Sequence, residues 1–399
     1  MRTSRAAIGV ILALATLTAC TSDDDGGDGF EVELLAGGDG SVPGPVRVLT
    51  AGPDESLWAL AGDSSLVRID SDGAAETTEL RLPDGVNALA DLAVAPDGTA
   101  YVLAELPDVG ESSVYQVDGD QVVPAFGVPS DGGSDSAPDG TDAAGAALGP
   151  VADIAVDPEG RVLFVETHSP DGGVINSVQQ VRRVDDDGTI STLAGTSEPG
   201  SGDDTGWFPE DGAEATSQSL AWPVFVSVAP SGDVYLRTGR SVLRVEDGGL
   251  TRVLGGDTSG LTTVPNTEQS APFEDAVEAL DAGYESVDDR STFAAGDSGV
   301  LVGAPVVPAE LSSDVRSAFS WTVEDAAGEA QAYADAVVDP DSQASRQSEA
   351  ALYVSDGTVT TASVIGSVST WLDDDTIATA LVSSVASQET IVVTYDVPS

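Results

Sequence analysis

Followed along its apolar and polar positions, the chain repeats one pattern four times. LTAGPDESLWALAG from Leu49, LAVAPDGTAYVLAE from Leu92, IAVDPEGRVLFVET from Ile154 and VSVAPSGDVYLRTG from Val226 each present an apolar run, a turn and a second apolar run. The turn reads Pro, then an acid or Ser, then Gly, except that the first copy has Glu55 where the others have Gly. Proline presets φ at the second turn position, and Gly accepts a left-handed backbone, so each copy is expected to be a β-hairpin. A third apolar run ending in an acidic turn follows each hairpin: SSLVRIDSDG from Ser64, SSVYQVDGDQ from Ser112, QQVRRVDDDG from Gln179 and SVLRVEDGG from Ser241. A fourth follows in three copies, VVPAFG from Val122, TISTLAG from Thr189 and LTRVLGG from Leu250.

The turn prolines Pro53, Pro96, Pro158 and Pro230 are 43, 62 and 72 residues apart, so a constant four-stranded unit is joined by connections of growing length. Units of four strands at such periods indicate the blades of a β-propeller. Runs such as Val162 to Val165 are apolar at every position, as expected of a sheet packed between two neighbours. In the C-terminal third, STFAAGDSGVLVGA from Ser291 reads as a fifth hairpin and AALYVSDGTVTTASVIG from Ala350 as its third and fourth strands, which makes 305–349 an insertion within blade five. VSTWLDDDTIATALVSS from Val368 and SQETIVVTYDV from Ser387 supply three strands of a sixth blade, one strand short. FEVELLAG from Phe30 is the available fourth strand. The expected fold class is therefore all-β, a six-bladed β-propeller of four-stranded antiparallel blades over 30–399, closed by its N-terminal strand, which leaves no open sheet edge at the seam.

Composition changes the picture at the N-terminus. Arg2 and Arg5, the apolar stretch Ala6 to Ala15 and the short Leu17-Thr18-Ala19-Cys20 segment form an export signal over 1–19. The Leu-x-Ala-Cys pattern resembles the lipobox of bacterial lipoproteins. That resemblance implies that Cys20, the only cysteine, carries the lipid and that the protein sits at the outer face of the cell membrane, held by the lipid anchor alone. Residues 20–29 read as an acidic tether. The formal net charge is −53, and all 15 cations are Arg. Clustered cations are what nucleic-acid recognition requires, so nucleic acid is excluded as a partner.

The features VRRVDDDGTISTLAG at 181–195, DGTDAAGAALGP at 139–150 and DGAEATSQSLAWP at 211–223, with the strand-Pro-acid-Gly-strand core, resemble the NHL-repeat family of propellers. The resemblance covers 44–256 and implies the fold without an activity, since the fold hosts binders and enzymes. Lyases and amidating relatives in that family rely on several histidines, and this chain has one, His168.

The turns between first and second and between third and fourth strands are uniformly tight, and nearly all the connecting length falls at the opposite end of the blades. Long loops on a rigid scaffold are where binding is expected. On that face Trp207, Phe208, His168, Arg237, Arg240 and Trp321 are the candidate anchors, aromatic and Arg side chains being the usual ones; the alternatives are loop pinning for the rings and charge neutralisation for the Arg residues. Asp70-Ser71-Asp72, Asp185-Asp186-Asp187 and Asp373-Asp374-Asp375 carry enough oxygens for calcium, but Asp-Gly is equally the chemistry of a tight turn. No catalytic residue is identified and no cofactor is required. The reading is a monomeric, non-catalytic module that binds a protein, peptide or glycan of the cell envelope. The alternative is a metal-dependent hydrolase or lyase, lactonase-like, with carboxylate ligands in the central channel.

Overall fold

A computed structural model of the chain describes residues 32–106, 111–129, 137–168, 178–196, 209, 211–220, 224–238, 241–255, 277–278, 292–305, 349–355, 358–363, 368–382 and 390–396. They form six four-stranded antiparallel blades. Blade one comprises Val46–Ala51, Leu57–Ala61, Ser65–Ile69 and Ala75–Glu79, and blade two Ala88–Val94, Ala100–Leu106, Glu111–Asp118 and Gln121–Pro124. Blade three comprises Val151–Val156, Val162–His168, Val178–Val184 and Ile190–Ala194, and blade four Phe225–Val228, Val234–Arg237, Val242–Glu246 and Gly249–Leu254. Blade five comprises Phe293–Ala295, Val300–Pro305, Glu349–Ser355 and Thr358–Ser363; residues 306–348, between its second and third strands, lie outside the described residues. The innermost strand of each blade contacts those of both neighbours, and the last contacts the first, so the ring is closed.

The seam is where the sequence places it. Blade six takes Val368–Trp371, Thr376–Val382 and Thr390–Asp396 from the C-terminus, and Val32–Gly37 pairs antiparallel with Thr390–Asp396, from Val32 opposite Tyr395 to Gly37 opposite Ile391. Gly37 has φ +93, and a Cβ there would run into the backbone of Thr390. Glycine is what lets the closing strand end this close to its partner.

Blades stack face to face, and the packing explains the continuous apolar runs. Val162 and Phe164 lie in the cluster shared with blade two, where Phe164 meets Phe126 at a ring-centroid distance of 5.4 Å, while Leu163 and Val165 lie in the cluster shared with blade four. Period-two alternation thus sends successive residues to opposite neighbours. All four side chains are buried, a contribution of order 10 kcal/mol at about 1.5–3 kcal/mol per side chain.

Two features escape the apolar pattern. The outer strand of blade one, Ala75–Glu79, is polar and mostly exposed, with Ala75 packing against the cluster shared with blade six. Blades four and five gain a fifth, two-residue edge strand, Ala213–Glu214 and Val277–Glu278, from the segment that leads into each blade. The turn that carries Glu55 also differs from its siblings. Gly98, Gly160 and Gly232 take φ of +85, +86 and +93, whereas here both Asp54 and Glu55 are left-handed, at φ 58 and 55.

Candidate functional site

The inner strand of each blade has one edge that no strand of its own sheet pairs with, and its N–H groups need other acceptors. The preceding blade supplies several of them. Asp91 of blade two accepts a hydrogen bond on Oδ2 from Ile154 N at 3.0 Å, and Asp153 of blade three accepts one on Oδ2 from Val226 N at 2.7 Å. Asp91 Oδ1 also accepts from Leu92 N at 2.8 Å. Further round the ring, Ser227 Oγ accepts from Ala295 N at 2.9 Å and Thr292 Oγ1 from Ser369 N at 3.0 Å. The side chains that make these bonds lock neighbouring blades in register and form the wall of the axial channel.

That channel is a cavity of about 500 Å³ running the length of the inner strands, with all six blades contributing. Asp91 and Asp153 stand five residues before the turn prolines Pro96 and Pro158 and are only 8% and 7% exposed. At the equivalent position blade one has Val48, blade four Phe225, blade five Thr292 and blade six Val368. The channel is therefore two-sided at this level, with two carboxylates on adjacent blades facing a largely apolar remainder. Three residues nearer the turns, Val94, Val156 and Val228 are half-buried and continue the apolar wall. At the turn end the lining includes Asp297, Asp373 and Asp374. Close to that mouth, the backbone N–H and then the hydroxyl of Thr99 hold the exposed Asp97 carboxyl below its usual range, so it is ionised at neutral pH.

In blade four, Phe225 replaces the carboxylate and a cation takes over the junction. The Arg237 guanidinium lies 4.2 Å from the Phe225 ring centroid and 5.6 Å from that of Phe293, and Nη1 donates to Thr292 O at 3.4 Å. Arg237, expected among the anchors of the long-loop face, is 0% exposed and bridges blades four and five. His168 is the last residue of the strand Val162–His168, opposite Val178. Cys20, Trp207, Phe208, Arg240 and Trp321 lie outside the described residues. Asp91 and Asp153 were missed by the sequence reading. Their signal is an acid interrupting an apolar inner strand at a fixed distance before the turn proline, in ADLAVAP and ADIAVDP.

Among the described residues, no three of His, Cys, Asp or Glu come together as a metal cage. The acidic turns use their carboxylates locally: Asp72 Oδ1 accepts from Ala74 N, Asp187 Oδ1 from Thr189 N and Oγ1, and Asp373 Oδ1 from Asp375 N and Thr376 N. These are turn-capping bonds, and the channel offers two neighbouring carboxylates bound to backbone N–H groups. The described residues do not fit a carboxylate metal cage.

No family model and no curated protein matches the chain. Solved structures similar to it include a gluconolactonase from Xanthomonas campestris at 11% identity and a TM-score of 0.45, covering 92% of this chain and 90% of that one. They also include a streptogramin B lyase at 12% identity and a TM-score of 0.40, covering 92% and 98%, and a protein of unknown function from Dyadobacter fermentans at 12% and 0.44, covering 89% and 95%. The likeness is one of fold. The expectation of a non-catalytic binding module is not carried further, and the activities named for the gluconolactonase and the lyase belong to those proteins; the metal-dependent form of the alternative finds no cage of three ligands among the described residues.

Proposed function

We propose that the protein is a hydrolase of uncharged or cationic cyclic esters, acting inside the axial channel. The observation that carries this reading is the pair of carboxylates, Asp91 and Asp153, more than nine-tenths buried in the wall of a 500 Å³ cavity. A carboxylate fixed by backbone N–H groups is a positioned acceptor, and general bases of this kind contribute about 10²–10⁴-fold. In the proposed reaction a water beside Asp153 gives its proton to the carboxylate as its oxygen bonds to the ester carbonyl carbon. The carbonyl π pair moves onto its oxygen in this attack, and as it returns the ring C–O bond breaks and the leaving alkoxide takes the proton back, giving a hydroxy acid. Asp91, with both oxygens held, orients a substrate hydroxyl or the water. The product is an anion in a channel with several carboxylates in its wall, so charge repulsion drives its release.

The Leu17 to Cys20 pattern supports export and lipid attachment at Cys20, with the propeller working as a monomer on the outer face of the membrane, and the repeat segments support an NHL-type propeller. Substituting Cys20→Ala should move the protein from the membrane fraction to the soluble fraction. The activity is tested by titrating the acid released from a panel of uncharged lactones. Asp153→Asn should lower kcat/KM at least about 100-fold in a protein that still unfolds cooperatively, because the amide oxygen can keep the bond from Val226 N that joins the blades. Absence of lactone hydrolysis above background, or full activity in folded Asp91→Asn and Asp153→Asn variants, overturns the reading.

A further inference from the structure

We infer that the channel takes a lactone bearing an unbranched alkyl tail in preference to a polyhydroxylated ring, an inference about substrate class that rests on the hydrolase reading. Val94, Val156 and Val228 stand at one level on three consecutive blades. Each packs on one side against a cluster between blades, stays half-buried and lines the channel with the rest of its surface. Several polar side chains of the wall are already engaged by the blades themselves. Ser227 Oγ accepts from Ala295 N and Thr292 Oγ1 from Ser369 N, the Ser369 hydroxyl bonds that of Thr379 at 2.9 Å, and Trp371 Nε1 donates to Ala294 O at 3.2 Å. The described lining contains no Asn, Gln, Tyr, His, Lys or Arg. A ring carrying many hydroxyls gives up water here without gaining matching bonds, whereas an alkyl tail loses only its unfavourable hydration. The strands also set a length. Val94 and Val156 lie three residues beyond Asp91 and Asp153, about 10 Å along an extended strand, so a lactone reacting beside the carboxylates lays its tail on the valines. Binding of that tail depends on the valine wall and not on the charge of the carboxylates, and a cavity of about 500 Å³ is of the size that holds such a molecule.

A series of γ-lactones with methyl to octyl tails, compared with glucono-δ-lactone, tests this on the full chain. Each added methylene should raise kcat/KM about two- to fourfold until the tail spans the distance to the valines, as expected of a partly to fully buried methylene. Glucono-δ-lactone should be at least about 100-fold poorer than the hexyl member. The matching 2-alkylcyclopentanones have no ester bond to break and report binding alone by calorimetry, with the same stepwise gain in affinity. Val228→Thr should reduce the gain per methylene, and Val156→Trp should abolish it, each in a protein that still unfolds cooperatively. A kcat/KM that is flat along the series or highest for glucono-δ-lactone overturns the alkyl preference and leaves the hydrolase. An unchanged gain per methylene in folded Val156→Trp puts the tail outside the channel and overturns the proposal, as does cyclopentanone affinity that is independent of tail length. Affinity that climbs with tail length without hydrolysis of any lactone overturns the hydrolase and leaves the alkyl preference.

Discussion

Replacing Arg182 by Met removes the cation at the centre of the most deeply buried ion pair described in the protein. Arg182 is 2% exposed, its Nη1 donates to Glu166 Oε2 at 2.9 Å and its Nη2 to Asp139 Oδ1 at 2.9 Å. Glu166 is 0% exposed, and its other oxygen accepts from Gly149 N at 2.6 Å. The two halves of the network differ in value. Asp139 is 55% exposed, so its pair with Arg182 contributes about 0–1 kcal/mol. Glu166 cannot reach water, and taking away its cation should cost about 3–5 kcal/mol, mostly as the penalty of a buried carboxylate that has lost its charge partner. Neutralising that carboxylate as well should recover much of the loss: in Arg182→Met/Glu166→Gln the amide oxygen still accepts from Gly149 N, and at least about 2 kcal/mol should return. Equilibrium urea unfolding of the wild type, both single variants and the double variant measures the cycle. A loss below about 1 kcal/mol in Arg182→Met, or a double variant no more stable than that single one, refutes the reasoning. The network also bears on the site, since it holds the 139–149 segment against blade three, directly before the strand that carries Asp153.

Glu55→Gly should raise stability by about 0.5–1 kcal/mol in the same assay, because it removes the left-handed strain of a non-glycine residue at φ 55, at a position where the sibling turns have Gly with positive φ. At the seam, Gly37→Ala should destabilise more than Gly40→Ala: both have positive φ, but a Cβ on Gly37 meets the Thr390 backbone and one on Gly40 meets open space, so the difference in thermal midpoint reports the fit of the closing strand. Asp187 is held below its usual pKa first by the Thr189 hydroxyl and then by the Thr189 N–H. Its stabilising contribution is present above the ordinary carboxylate pKa and lost as pH falls through the lowered value, so Thr189→Val should shrink the difference in unfolding midpoint between pH 6 and pH 3.

The fold was legible because propeller blades repeat a local chemistry, and Pro-acid-Gly turns between apolar runs need no long-range information. Even the closing strand at Val32–Gly37 could be placed by counting strands. The outer strand Ala75–Glu79 could not, because it is mostly exposed and its sequence is free to be polar, unlike the outer strands Ile190–Ala194 and Gly249–Leu254, which bury Ile190, Ala194, Leu250 and Leu254. Arg237 was misplaced for a related reason: it ends a strand before Thr-Gly, which reads as a loop mouth, and only tertiary packing shows that Phe225 and Phe293 flank it inside a blade junction. Asp91 and Asp153 were visible as acids within apolar strands. What they do depends on the neighbouring blade, whose N–H groups lie 63 and 73 residues further along the chain.

If reaction occurs inside the channel, filling the channel must stop it. Val156 is half-buried and lines the cavity at the turn end of its strand, so Val156→Trp should obstruct the channel there. With lactone hydrolysis followed in parallel with thermal unfolding, the account predicts that this variant melts as a folded protein and loses nearly all turnover. A folded Val156→Trp protein that hydrolyses lactones at the wild-type rate would contradict the account.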